Sequence, residues 1–336
     1  ANYPFCTIEP NQGRVFVPDE RINKLSNINK SKQKLPTTLE FCDIAGLVQG
    51  ASKGEGLGNQ FLSHIRQVDA IVHVLRCFED NNITHVNNEI DPINDLEVVE
   101  TELMLSDLES LEKRLFSSKK KNQKNDRETI EEMRIMEQAL NILKNGDPIS
   151  KHKFPEDDQV ILKTLGLITS KPILYLCNVN ETDMKKGNKF SNIVENYVKE
   201  NDKQSMIISA DIESQISLIE DEAEKQLFFE ELEITENGLS RVIKAGYNLL
   251  NLITFFTSGP KETKAWDIHN GTHASQAAGK IHSDFEKGFI RAETISYNDY
   301  IMCNGEIEAR NKGKVRSEGR DYIVEDGDVI TFRFNV

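Results

Sequence analysis

Four short β-rich apolar runs constrain this chain more than any other feature. They are "TLEFCD" (38–43), "AIVHVLRCF" (70–78), "PILYLCNV" (172–179) and "SMIISA" (205–210), each bounded by turn-forming or charged residues. Near-continuous apolar strands separated by helical stretches predict a buried, mostly parallel sheet, and so an α/β domain.

Something different lies between the second and third runs. Apolar residues fall at Leu96, Val99, Leu103, Leu108, Leu111 and Leu115, close to a three-and-four spacing. A second helical stretch puts Ile130, Met133, Leu140 and Leu143 on one stripe and ends at Gly146 and Pro148. The polar, basic linker "SSKKKNQKND" (117–126) joins the two. This pattern predicts an antiparallel helical hairpin inserted into the α/β domain. The acidic stretch from Asp211 to Glu233 reads as a solvated helix pair. From about residue 249 the chain turns to "LITFFTS", "ETKAWDI", "FIRAETI" and "DVITFRFNV", with a helix expected at "HASQAAGKIHSDF". That is a small separate α+β module, with Trp266, Phe285 and Phe289 expected in its core.

A chain of 336 residues suits two or three domains. Its net charge of −14 excludes a protein that coats nucleic acid with its whole surface, but leaves room for a local basic patch. Two such clusters stand out: Lys119, Lys120 and Lys121 at the expected hairpin tip, and Arg310, Lys312, Lys314, Arg316 and Arg320 in an expected loop. Each reads either as solvated surface charge or as a local phosphate-backbone contact. The five cysteines form no CxxC pair and no cluster with His. Cys42, Cys77 and Cys177 sit in or beside apolar runs and are expected as buried free thiols, which suits a reducing compartment. No window approaches 18 consecutive apolar residues and no signal-like segment opens the chain, so the cytosol is the expected location and no membrane partner is expected.

The segment "DIAGLVQG" (43–50) follows the first run directly. Asp43 ends a predicted strand, where ligands bind in open α/β sheets. It reads either as a turn or helix-capping Asp, or as a carboxylate holding a magnesium-bound water, with Gly46 letting the backbone approach a γ-phosphate. Gly50, Gly54, Gly56 and Gly58 follow, as a phosphate-responsive loop would need. Thr7 is either one more loop Thr or a magnesium ligand upstream of the strand. "CNVNE" (177–181) and "SA" (209–210) follow the third and fourth runs. In guanine-specific NTPases these places carry NKxD and SA[KL]. Here Asn178 fits, Val179 replaces the Lys, Asn180 holds the variable place and Glu181 replaces the Asp. Adenine presents a lone pair where guanine presents N1–H, so the altered motif argues against strict guanine selection. Thr, DxxG, NxxE and SA in this order, the last three at predicted strand ends, make a nucleotide site the best single reading.

The segments "ANYPFCTIEPN", "DIAGLVQGASKGEGLGNQFL", "DAIVHVLRCFED", "NVNE", "HSDFEKGFIRAE" and "DYIVEDGDVITFRFNV" closely resemble the YchF/Obg-like ATPase family of translation-factor-class P-loop NTPases, from Ala1 to Val336. The resemblance implies an α/β P-loop NTPase-type sheet with an inserted coiled-coil hairpin and a C-terminal β-grasp (TGS) domain. On that pattern the nucleotide domain covers 1–95 and 151–248, the hairpin 96–150 and the TGS domain 249–336. It also implies a GxxNVGKST-type cradle before "ANYPF"; the 336 residues contain none, and without it they are expected to bind and hydrolyse nucleotide poorly. Thr7 and Asp43 would serve magnesium, Gly46 the γ-phosphate, and Asn178–Glu181 with Ser209 and Ala210 the base. ATP is the expected substrate, with GTP less selectively used. Leu47 stands where related GTPases carry a water-orienting Gln, so another group must place the water. His85, which the family also carries, is the candidate, against a solvated loop His; a potassium ion is another helper. His73, inside an apolar run, is expected in the core. The family's ribosome association points to rRNA or tRNA contact through the hairpin tip and the TGS domain, with no DNA partner. The expected function is a slow, ribosome-linked ATPase switch; the other readings are a nucleotide-independent RNA-binding scaffold and a conventional GTPase.

Overall fold

Asp19 accepts the Arg21 backbone N–H and so starts helix α1 (Glu20–Asn29). The strands β1 (Asn11–Phe16), β2 (Gln33–Leu35) and β3 (Thr38–Asp43) flank it. Next come α2 (Leu57–Gln67), β4 (Ile71–Arg76), the long helix α3 (Pro92–Lys121), α4 (Arg127–Lys144) and α5 (Glu156–Leu165). Then β5 (Ile173–Asn178), α6 (Lys189–Glu200), β6 (Gln204–Ile208), α7 (Ala210–Leu218), α8 (Glu222–Glu231) and α9 (Gly238–Leu249) follow. The remainder runs β7 (Leu252–Ser258), β8 (Glu262–His269), α10 (Ala274–Ile281), α11 (Ser283–Lys287), β9 (Phe289–Ile295), α12 (Tyr297–Met302), α13 (Glu306–Asn311), β10 (Arg316–Glu318) and β11 (Val329–Phe334). The computed structural model describes residues 11–44, 57–80, 90–121, 127–232 and 234–335. Their contacts divide them into two units, one of residues 11–13 and 42–238, the other of 14–41 and 239–335.

In the first unit β4, β5 and β6 form a parallel sheet with β5 in the centre. Leu75, Tyr175 and Cys177 pack against Val194 and Val198 of α6 and Leu96 of α3. Helix α6 starts on a capping box: Asn188 Oδ1 accepts the N–H groups of Phe190 and Ser191, and the Ser191 hydroxyl accepts the N–H of Asn188. The other edge of β4 has no strand partner among the described residues, and Val74 there is 57% exposed.

The hairpin forms as its periodicity requires, with two corrections. Leu111 and Leu115 of α3 meet Ile135, Met136, Ala139, Leu140 and Leu143 of α4. Ile130, expected on that stripe, is instead exposed, because the buried face of α4 begins further from the tip. Helix α3 also runs through Lys121, well into the expected linker, since Ser and Lys there offer no helix-breaking residue. Two carboxylates on α3, Asp107 fully buried and Glu100 half-buried, fasten the hairpin to its unit. Asp107 accepts from the N–H groups of Ile168 (3.1 Å) and Thr169 (2.8 Å), the Thr169 hydroxyl (2.8 Å) and Arg66 Nη1 (2.9 Å). Glu100 takes Lys203 Nζ at 2.5 Å and the Tyr175 hydroxyl.

In the second unit a six-stranded sheet has the order β10-β9-β11-β7-β8-β2, with β7 and β11 parallel at its centre. Phe255 and Phe256 are adjacent in sequence and both fully buried, because successive strand residues serve opposite faces. Phe255 packs with Ala274, Ala277 and Ala278 of α10; Phe256 packs with Ile22 and Leu25 of α1 and Tyr300 of α12. Phe289 is buried in the α10 layer, with Trp266 and Phe285 against it, as the sequence suggested.

Three sequence expectations change here. Among the described residues "TLEFCD" does not join the parallel sheet: β3 pairs with β1, and Leu39 and Phe41 turn inward, against Val17, Ile243 and Tyr247. Its exposed Thr38 and Glu40 make it an alternating strand with one wet face. Helix α1 and strand β2, which the sequence attached to the nucleotide-binding part, are built into the second unit, where β2 runs parallel to β8. Among the described cysteines Cys77, Cys177 and Cys303 are buried free thiols, but Cys42 is only half-buried.

Candidate nucleotide-binding edge

The parallel register sets Arg76, Asn178 and Ile208 side by side at the C-terminal edge of the first unit's sheet. Three loops leave this edge. Asn178 ends β5, and its Oδ1 accepts the backbone N–H of Ala210 at 2.9 Å, tying the loop after β5 to the one after β6. The backbone repeats the link, with the Val179 N–H donating to Ile208 O at 2.9 Å and Cys77 N–H to Asn178 O at 2.8 Å. Asn178, Val179, Ser209 and Ala210 are thus brought together, as their order along the chain suggested.

Their side chains divide the work differently from the sequence reading. Val179 is 3% exposed and packs inward with Leu75 and Cys77. It fills core space, so a Lys there would bury its charge. Asn180 and Glu181 are exposed, with Glu181 opening a single 3-10 turn, Glu181–Asp183. Ser209 is fully buried; its hydroxyl caps nothing and has no hydrogen-bond partner among the described residues. It is the backbone of Ala210, at the start of α7, that faces the Asn178 side chain.

Arg76 and Asn188 escaped the sequence reading. The Arg76 guanidinium donates to the carbonyls of Phe78 (3.2 Å) and Asp80 (3.1 Å) and stacks over the Phe78 ring. Asn188 Nδ2 donates to Cys77 O at 2.7 Å and to Asp183 Oδ2 at 2.8 Å, while Lys189 meets Glu79 at 2.8 Å. Together they pin the loop after β4 onto the segment after β5. The only hint in the sequence is a charged residue closing an otherwise apolar strand.

Asp43 ends β3 with an exposed carboxylate. Thr7, Gly46, Leu47 and His85, and Gly50, Gly54 and Gly56, lie outside the described residues, and Gly58 falls within α2. No group of three or more His, Cys, Asp or Glu among the described residues could cage a metal ion. A magnesium ion held largely by water and phosphate oxygens needs only one or two protein carboxylates, and Asp43 fits that modest requirement.

Behind the edge, His73 lies in β4 against the Tyr175 ring at 5.9 Å. Burial lowers its pKa to about 4, with Glu100 opposing and Lys203 adding to the shift. Its ordinary value is 6.5, so the folded state resists a proton that the unfolded chain accepts. The stability this gives is present above about pH 6.5 and is lost as pH falls toward 4, roughly 3 kcal/mol over that window. Urea unfolding at pH 7 and pH 4.5 should show a smaller acid loss for His73→Leu than for the native chain.

Comparison with known proteins decides the family. The chain is 49% identical over 338 residues to the Bacillus subtilis (strain 168) "Ribosome-binding ATPase YchF", spanning 100% of this chain and 92% of that one. The chain belongs to the YchF family. The Escherichia coli O157:H7 protein of the same name is 48% identical over 336 residues, again spanning 100% and 92%. The solved Schizosaccharomyces pombe YchF GTPase superposes with a TM-score of 0.85 at 38% identity, covering 99% of this chain and 90% of that one. A family described as "50S ribosome-binding GTPase" matches residues 1–106, and the YchF-GTPase C-terminal family, described as a protein of unknown function, matches 252–335. The fold is accordingly that of a YchF protein, an α/β P-loop NTPase-type domain with a second α+β domain.

For this YchF-family chain the two basic clusters are not as free as they looked. Lys119 meets Glu137 at 2.8 Å and Lys120 lies over the Phe116 ring. Arg310 contacts Glu293 and Glu306, Lys314 contacts Asp299, and Arg316 contacts Asp328 and Glu318. The expected loop is in fact helix α13, a turn and strand β10, and it scatters its cations. Arg316 stands opposite Thr294 across the ladder, Glu293 being the next residue, so Arg316 and the Glu293 site lie on opposite faces of the sheet. Lys312 and Arg320 are exposed.

Proposed function

We propose that this chain is a ribosome-associated ATPase in which the edge formed by β4, β5 and β6 receives the base. The observation that carries this is the Asn178–Ala210 bond, which joins the NxxE and SA loops at the ligand-binding end of a parallel sheet. Asn178, Val179, Asn180, Glu181, Ser209 and Ala210 border the base, with the Val179 and Ser209 side chains acting from beneath. ATP is favoured over GTP because Glu181 stands in place of the Asp that takes the two N–H donors of guanine and Val179 is committed to the core. The relatives' names, ribosome-binding ATPase for two and GTPase for the third, support a purine triphosphate as substrate.

Asp43 and Thr7 would serve magnesium, which when bound would neutralise charge on the β- and γ-phosphates. Gly46 would leave room for the γ-phosphate. His85 would orient the attacking water, since the apolar Leu47 cannot. Potassium, as in some related NTPases, would be an additional helper. No described helix is long and apolar enough to cross a membrane. A cytosolic location follows from the ribosomal partner in this proposal, and residues 249–336 act as its TGS domain.

Calorimetry tests the site. ATP should bind the protein more tightly than GTP does. Absence of ATP binding would favour the scaffold reading. His85→Ala should slow ATP hydrolysis about a hundredfold while leaving ATP affinity nearly unchanged, as measured by single-turnover phosphate release. An unaltered rate would remove His85 from the mechanism.

A further inference from the structure

Glu293 of β9 is unusually placed. It is 7% exposed, and three guanidinium groups meet its carboxylate: Arg291 on Oε1 at 2.8 Å, Arg310 on Oε2 at 2.9 Å and Arg333 on Oε2 at 3.0 Å. The register explains the meeting. Arg291 of β9 stands directly opposite Arg333 of β11, and both share a sheet face with Glu293, two residues on. Helix α13 brings Arg310 from above, where it also contacts Glu306 at 2.9 Å.

Charge does not cancel here. Three arginines face one buried carboxylate, with Glu306 on the margin, so the cluster keeps a net positive charge on a chain whose total is −14. Each arginine is about half-exposed, at 51%, 50% and 50%. A guanidinium has five N–H donors, and the contacts to Glu293 and Glu306 use only part of them. The arginines hold the Glu293 pKa down to about 2, so the carboxylate stays ionised and keeps the fork-shaped groups in place. The result is a fixed set of donors facing solvent, in contrast to a mobile lysine tail.

We propose that Arg291, Arg310 and Arg333 form an anion-binding platform for the phosphate backbone of structured RNA. The proposal rests on the ribosome-association reading and moves its contact from the loop cations to this sheet face. Two neighbouring cations of the sequence cluster, Lys312 and Arg316, are assigned no part in it. Planar guanidinium forks suit phosphate oxygens, and exposed rigid donors lose little freedom on binding.

The test uses the full chain, a fluorescein-labelled RNA stem-loop and anisotropy titrations at several salt concentrations. Arg291→Gln and Arg333→Gln are made singly, so that Glu293 always keeps two arginines and is never left unpaired; thermal unfolding confirms each fold. Each should weaken RNA binding about three- to tenfold at 50 mM salt and lower the slope of log K against log salt by about 0.7–0.9. The pair Lys312→Gln and Arg316→Gln should weaken binding less than either. Unchanged affinity and slope in both arginine variants would overturn the platform. Loss confined to the Lys312 and Arg316 variants would return the contact to the loop cations. Arginine variants that lose binding to polyglutamate, titrated in the same way, but keep full binding to RNA would make the partner an acidic protein and overturn the proposal. Ribosome co-sedimentation of the native chain is read in parallel: failure there removes the ribosome-association reading itself, whereas native co-sedimentation with unaffected arginine variants removes the platform alone.

Discussion

Asp107→Ala should cost about 4 kcal/mol of unfolding free energy, a large part of what a domain this size possesses. The side chain is fully buried and accepts four hydrogen bonds. Alanine removes the carboxylate facing Arg66 and leaves the N–H groups of Ile168 and Thr169 without that acceptor, in a place water does not reach. Arg66 keeps its contacts to Gly166 O and to Ser106, so the loss falls mainly on the 168–169 turn. Asp107→Asn retains one acceptor oxygen and should lose about half as much. Urea unfolding gives both values. Hydrogen exchange should show the amides of Ile168 and Thr169 losing protection first. If Asp107→Ala unfolds within 1 kcal/mol of the native chain, the Asp107 contacts do not hold α3 in place.

Asn178→Ala should weaken ATP binding about tenfold while lowering stability by less than about 1 kcal/mol. The two effects separate because the bond to Ala210 is exposed to solvent. Without nucleotide, water can replace the lost acceptor, so folding barely registers the change. With nucleotide, the two loops must be held in one geometry, and losing about 1.4 kcal/mol of that ordering is a factor of ten in affinity. Calorimetry with ATP on the variant and the native protein measures it. Equal affinity would mean that the loop after β5 does not border the base.

Much of this was legible in the residues. Apolar runs and helical spacing are local signals, and β4, β5, β6 and the hairpin appeared where those signals stood. That Asn178 and Ala210 both sit at strand ends was legible for the same reason, whereas the bond between them was not. Arg76 and Asn188 were not, because their roles are bonds to backbone carbonyls, which carry no sequence signature. The basic cluster misled for a complementary reason. Closeness in sequence says nothing about which face of a strand a cation takes or which acidic residue waits across the fold.

The sequence by itself determined β4, β5, β6 and the hairpin, since each depends on spacing within a few turns or a single strand. The tertiary structure decided which strands pair, that α1 and β2 join the second unit's sheet, and that Arg291 and Arg333, 42 residues apart, converge with Arg310 on Glu293. Strand pairing and electrostatic partnership depend on distance in space, and chain spacing encodes that only after the whole sheet has formed.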